Sequence, residues 1–76
     1  MKAYVLVNIH PGSIEEVVRN MRRLPEVVEA NSTFGPYDAV AVIQADTISQ
    51  LGRLVNVRIQ PIPGIVETLT CLVSEE

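Results

Sequence analysis

The stretch AYVLVNIHPGSIEEVVRNMRRLP, residues 3–25, decides the fold because it joins a strand pattern directly to a helix pattern. Residues Ala3–Ile9 are apolar and rich in β-branched side chains, which is typical of a strand buried on both faces. After a Pro-Gly break, Ser13 and Glu16 match a capping box and Pro25 ends the helix that follows. The apolar face of this predicted helix has the spacing i, i+3, i+4, i+7 and i+10: Ile14, Val17, Val18, Met21 and Leu24.

The rest of the chain continues the alternation of strands and helices. Val27–Phe34 predicts a second, more polar strand, and a Gly-Pro-Tyr reversal returns the chain as a third strand over Asp38–Ala45, so these two strands form an antiparallel hairpin. Thr47 with Gln50 is a second capping-box signature, and Gly64–Val73 predicts the last strand. The helix between them has the predicted apolar face Ile48, Leu51, Leu54, Val55 and Ile59.

The order β-α-β-β-α-β consists of two similar halves, in which PEVVE at 25–29 matches PGIVE at 63–67. This order predicts one α+β domain over residues 1–76, a ferredoxin-like sandwich with a four-stranded antiparallel sheet and two helices on one face. The helices leave the other face of the sheet uncovered, although two strands are apolar on both sides. We therefore expect two sheets to pack face to face in a symmetric homodimer.

Size and composition support this expectation. A domain of 76 residues buries only about 60% of its unfolded surface, so its own core gives marginal stability. A single cysteine and a single histidine exclude an intrachain disulfide and argue against a structural zinc site, which leaves oligomerisation as the common remaining source of stability. The acidic end of the chain, 74–76, is expected to fray.

Charge and hydropathy indicate where the protein is located and which partners it can bind. The net charge of -3 does not suit binding to nucleic acid through phosphate contacts, so direct DNA binding is not expected. No apolar run approaches the roughly 20 residues of a membrane span, and the N-terminus has no signal-peptide pattern. Together with the unpaired cysteine, these features predict a cytoplasmic protein without membrane contact.

The chain lacks the residues that most activities supported by this fold require. The first loop contains neither the C-x-x-C of a metal chaperone nor the arginine of an acylphosphatase, and the third strand lacks the aromatic residues of an RNA-recognition module. His10 is interpreted as a solvated loop residue and Cys71 as an inert small hydrophobe. We therefore predict no enzymatic activity, no catalytic residue, no metal and no cofactor.

Two groups of polar residues form the candidate site. Gly35, Tyr37 and Asp38 lie in the reversal, where Asp38 is either a turn residue that accepts backbone N–H groups or a carboxylate for a ligand's ammonium group. Thr68 and Thr70 point to one face of the last strand, as ordinary strand formers or as hydroxyl donors to a ligand's carboxylate. Together the two groups have the chemistry that a zwitterion requires.

The segments LPEVVE at 24–29, FGPYD at 34–38 and PGIVETLT at 63–70 resemble, in order and spacing, the effector domain of the Lrp/AsnC transcriptional regulators. In that family a G-x-Y-D turn joins strands two and three, and the last strand contains P-G-V-x-x-T-x-T. The resemblance spans essentially the whole chain. Two positions depart from the family pattern. Phe34 stands where the family often has threonine. Glu67 stands where the family often has a basic residue, and its negative charge disfavours an acidic effector.

The resemblance implies a prokaryotic amino-acid-sensing module. It implies dimeric α-β barrels formed through the sheets, which assemble into octamer-like or decamer-like rings with an amino-acid effector between dimers. Because the sequence contains no helix-turn-helix domain, it is similar to the family's stand-alone modules, and full-length regulators of the family are candidate partners. The ligand-binding residues carried over are Gly35, Tyr37, Asp38, Thr68 and Thr70.

Two other functions remain open at this stage. A dimeric ferredoxin-like monooxygenase requires a deep apolar pocket between helices and sheet with converging aromatic groups, whereas this chain has three aromatic residues in total. An architectural adaptor for full-length regulators would bind no small molecule. The ACT domain, another amino-acid-binding module of similar architecture, is hard to separate by sequence.

Overall fold

The computed structural model describes residues 1–74 and has the predicted order of elements, β-α-β-β-α-β. The sheet order is β2-β3-β1-β4, and every neighbouring pair of strands is antiparallel, which confirms the ferredoxin-like prediction. The expected fraying concerns mainly residues 75–76, which lie outside the described residues. The elements are β1 Lys2–Ile9, α1 Ile14–Arg22, β2 Val27–Ser32, β3 Ala39–Gln44, α2 Ile48–Arg53 with its π-helical continuation Leu54–Ile59, and β4 Ile65–Leu72.

The first helix packs as its spacing predicts, but it begins differently. Val17, Val18 and Met21 are buried against the sheet. The capping box predicted at Ser13 is wrong, because the Ser13 side chain makes no cap hydrogen bond. Its N–H donates to the carbonyl of His10 at 3.0 Å, and this tight turn holds Ser13 at φ -106° and ψ -1°, whereas a capping side chain requires an extended backbone.

The second helix begins with the predicted capping box. Thr47 is extended, with φ -135° and ψ 159°. Its Oγ1 accepts from the N–H of Gln50 at 3.1 Å, while Gln50 Oε1 accepts from the N–H of Thr47 at 3.2 Å. The reciprocal pair satisfies two backbone donors that a helix start otherwise leaves free.

After its first turns the second helix widens into π geometry. The N–H of Gln60 donates to the carbonyl of Val55 at 2.8 Å, a bond that spans five residues. Leu54 and Ile59, also five residues apart, therefore face the sheet together, and both are buried. The prediction for Ile48 is wrong, because this first residue of the helix extends past the packed surface and is 59% exposed.

The two faces of the sheet differ sharply in burial. The face beneath the helices holds the core, where no polar or charged residue among the described ones is buried. The opposite face, called here the open face, has no covering element among residues 1–74, and its Tyr4 is 40% and its Leu69 47% exposed. Register pairs Tyr4 and Leu6 of β1 with their neighbours on β3 and β4, so the apolar centre of the open face is Tyr4, Leu6, Val40, Val42, Leu69 and Cys71.

No helix among residues 1–74 is long and apolar enough to cross a membrane.

Candidate functional site

The β2–β3 reversal is a closed turn that leaves its tip in solvent. The N–H of Thr33 donates to the carbonyl of Asp38 at 2.9 Å, and the Thr33 hydroxyl donates to the carbonyl of Tyr37 at 2.8 Å. Phe34 is fully exposed, and Gly35 has φ 156° with no atom near the position of a Cβ. The turn is therefore held at its base by backbone and hydroxyl bonds, while its aromatic tip packs against nothing in the described part of the chain.

Asp38 connects this turn to the end of β1. Its Oδ2 accepts from the N–H of Ile9 at 2.7 Å, and its own N–H donates to the carbonyl of Val7 at 2.9 Å. The interpretation of Asp38 as an acceptor of backbone N–H groups is thus confirmed. No hydrogen bond to Oδ1 is found among the described residues, so this half-buried carboxylate has one oxygen left for a further donor.

A shallow cleft of about 390 Å³ lies between the turn and the start of α1. Asp38 supplies its carboxylate, and the remaining lining combines hydroxyl groups with apolar surface. Tyr37 is half-buried at the edge of this region. The lining residues are Ile14, Ser32, Thr33, Phe34, Gly35 and Asp38.

Thr68 and Thr70 share a face of β4, as predicted, and it is the face on the helix side. They are directly opposite Val7 and Val5 of β1, both of which are buried beneath the helices. Because β4 is an edge strand, its outer part is only partly covered, and Thr70 is exposed. The Thr68 hydroxyl accepts from Gln60 Nε2 at 3.1 Å.

A single chain does not bring the two predicted halves of the site together. Asp38 adjoins β3 and the threonines belong to β4, with β1 between them, so two strand spacings of roughly 5 Å each separate the groups. The cleft that Asp38 lines includes neither Thr68 nor Thr70.

His10 and Cys71 are both exposed and lie apart from each other, in the loop after β1 and on the open face of β4. No group of three or more His, Cys, Asp or Glu side chains that could hold a metal ion occurs in residues 1–74.

A second cleft, called here the arginine cleft, was not predicted from the sequence. It has a volume of about 480 Å³ and lies at the opposite end of the β2–β3 hairpin from the turn. Its helical wall repeats at i, i+3, i+4, i+7 and i+8 from Gln50, a spacing visible in the sequence but hidden by the overlapping apolar pattern. The lining residues are Glu26, Ala45, Asp46, Gln50, Arg53, Leu54, Val57 and Arg58.

The family model and the curated relatives indicate the same protein family. The model of the Lrp/AsnC ligand binding domain family matches residues 2–76. The transcriptional regulator FL11 of Pyrococcus horikoshii, described as HTH-type, is 36% identical over 73 residues, which are 96% of this chain and 48% of FL11. The chain thus spans about half the length of the curated relatives that it matches.

Solved structures agree with the fold. The crystal structure of TTHA0845 from Thermus thermophilus superposes with a TM-score of 0.93 at 28% identity, covering 99% of this chain and 94% of that one. The regulator NMB0573 of Neisseria meningitidis, solved as a complex with L-Met, superposes with a TM-score of 0.87 at 18% identity over 99% of this chain and 50% of that one. At that identity the likeness to NMB0573 concerns the fold alone.

Proposed function

Since the chain belongs to the Lrp/AsnC ligand-binding domain family, we propose that it is a non-enzymatic effector module that binds a small amino acid at a boundary between subunits. In this proposal Asp38 accepts the ammonium group, and Thr68, Thr70 or N–H groups of the turn at Gly35 and Tyr37 donate to the carboxylate. Its role is in transcription regulation, as the description of FL11 suggests for the relatives.

The observation that carries the proposal is the division of the polar groups across the sheet. A carboxylate with one unused oxygen lies beside β1 on one side, and hydroxyl groups lie beyond β1 on the other. Two neighbouring subunits can together supply both polar groups to one ligand. NMB0573 shares this fold and was solved as a complex with L-Met, so the fold is able to hold an amino acid.

The assembly that we propose is a dimer formed through the open face, with dimers joined further into a ring. The apolar centre of the open face supports the dimer, because water contact with six neighbouring apolar side chains is unfavourable. The ring supplies the boundary between dimers that the effector site requires.

We also propose that the module acts by itself or alongside full-length regulators, in the cytoplasm, without contacting DNA. TTHA0845 is an example of a chain that consists almost entirely of this domain, since 94% of that chain is covered. The net charge of -3 favours an indirect effect on transcription, and the unpaired Cys71 suits a reducing compartment.

A monooxygenase is not supported by the packing between helices and sheet. Large apolar side chains fill that space, including the fully buried Met21, Ile43 and Ile59. The aromatic residue Tyr4 lies on the open face, and Phe34 is at the tip of the turn, so neither joins the core.

Calorimetric titration with the twenty amino acids tests the proposed site. We expect at least one amino acid to bind. Asp38→Asn and Thr70→Val should each weaken the affinity for that amino acid by about tenfold or more, because a charge-assisted hydrogen bond contributes roughly 1.5–3 kcal/mol. Circular dichroism checks that both variants fold. If no amino acid binds the native protein, the architectural-adaptor function replaces this one; binding indifferent to both substitutions would move the site elsewhere.

A further inference from the structure

Thr33 directly follows β2 and makes two hydrogen bonds to the residues at the far end of the turn. Its N–H donates to the carbonyl of Asp38 at 2.9 Å, and its hydroxyl donates to the carbonyl of Tyr37 at 2.8 Å. These two carbonyls lie on either side of the Asp38 α-carbon. One residue therefore holds the backbone both before and after that carbon.

The peptide group between Tyr37 and Asp38 is held at both of its ends. Its carbonyl accepts from the Thr33 hydroxyl, and its N–H, which belongs to Asp38, donates to the carbonyl of Val7 at 2.9 Å. Because a peptide group is planar, two opposed hydrogen bonds fix its orientation. The direction in which the Asp38 side chain leaves the backbone is then fixed as well.

The carboxylate of Asp38 depends on this direction. Its Oδ2 accepts from the N–H of Ile9 at 2.7 Å, and this bond ties the turn to the end of β1. The other oxygen has a defined place in the cleft only while the backbone of Asp38 keeps its orientation. Binding groups of this kind need neighbours that hold them in the productive geometry.

Packing of the tip does not replace these bonds. Phe34 is fully exposed, and no atom lies within 4 Å of a Cβ built on Gly35. The conformation of the turn therefore depends on the hydrogen bonds at its base, of which Thr33 supplies two.

The Thr33 hydroxyl also lies at the cleft that Asp38 lines, but its proton is already donated to the carbonyl of Tyr37. A hydroxyl group has a single proton, so Thr33 cannot donate to the carboxylate of a ligand while this bond exists. The hydroxyl therefore serves the backbone of the turn rather than a ligand's carboxylate.

We propose that Thr33 is a positioning residue, whose hydroxyl orients the Asp38 carboxylate between the end of β1 and the cleft. The consequence for effector binding rests on the function proposed above, whereas the orientation of Asp38 can be measured without any ligand. Two substitutions isolate the hydroxyl: Thr33→Val replaces it by a methyl group of similar size, and Thr33→Ser keeps it.

The amide proton of Ile9, followed by NMR in the ligand-free protein, reports the bond to Asp38. An amide proton that donates a short hydrogen bond to a carboxylate resonates downfield. Asp38→Ala gives the position of this resonance without the carboxylate. We expect Thr33→Val to move it upfield towards that position and Thr33→Ser to leave it near the native one.

The amide of Val5, in the buried centre of β1, is the internal control and should not move in either variant. These resonances report the geometry of the folded state, so a loss of global stability alone would not displace them. Native positions of Ile9 in Thr33→Val would refute the proposal. Displacement of Val5 together with Ile9 would also refute it, because Thr33 would then support the sheet as a whole.

Calorimetric titration with L-methionine, the amino acid in the NMB0573 complex, tests the consequence for binding. We expect Thr33→Val to weaken the affinity by about three- to tenfold, the effect of one neutral hydrogen bond, and Thr33→Ser to bind as the native protein does. Native affinity in Thr33→Val would overturn the positioning role in binding. If the native protein does not bind L-methionine, the effector function loses support, while the Ile9 resonance still decides whether Thr33 orients Asp38.

Discussion

At the scale of single residues, Gly64 has the tightest surroundings of any glycine in the chain. Its φ is +102°, and a Cβ built on it would lie 2.8 Å from Cβ of Ser13 and 3.0 Å from Cγ2 of Val17. We expect Gly64→Ala to destabilise the protein by more than the roughly 1–2 kcal/mol that a left-handed backbone alone costs. Denaturant unfolding measures the change.

Gly12→Ala is the matched control for this prediction. Gly12 has a comparable φ of +90° but no atom within 4 Å of an added Cβ. Gly12→Ala should therefore show the conformational cost without the collision. The difference in unfolding free energy between the two variants measures the cost of the collision with Ser13 and Val17. Equal losses at both positions would mean that the chain relieves the collision at no cost.

At the scale of elements, the two helix starts differ although their sequences look alike. Thr47 forms a complete capping box, whereas the Ser13 side chain makes no cap hydrogen bond. We expect Thr47→Ala to cost about 1 kcal/mol, a fall in melting temperature of roughly 4–8 °C for a domain of this size, and Ser13→Ala to change little. Calorimetric melting of both variants tests the contrast; a Ser13→Ala loss as large as that of Thr47→Ala would contradict it.

At the scale of the whole molecule, the open face determines the expected assembly. We expect light scattering to give a mass of twice 8.4 kDa or a higher multiple, because six apolar side chains share this face without cover. Leu6→Lys introduces a charge at the centre of the face and should dissociate the dimer. Ile48→Lys, at an exposed position of the second helix, is the control and should keep the native mass.

A monomer at micromolar concentration would refute the face-to-face dimer. If Leu6→Lys remained dimeric, the dimer contact would lie on another surface. The subunits would then have to be arranged differently to share the candidate site.

The sequence by itself determined the order of elements and the hairpin. These features follow from local periodicity and turn residues, as in Ala3–Ile9 and the reversal before Asp38, which act within a few positions of the chain. The second capping box was also predictable, because Thr47 and Gln50 satisfy each other locally.

Only the tertiary structure decided the features that depend on distant neighbours. The turn at His10 removed the cap predicted at Ser13, and the order of strands separated Asp38 from Thr68 by the width of β1. The arginine cleft likewise exists only because the second helix lies beside the start of β2 and the end of β3 in the folded chain. Strand order and burial are set by packing between segments far apart in sequence, so no local pattern contains them.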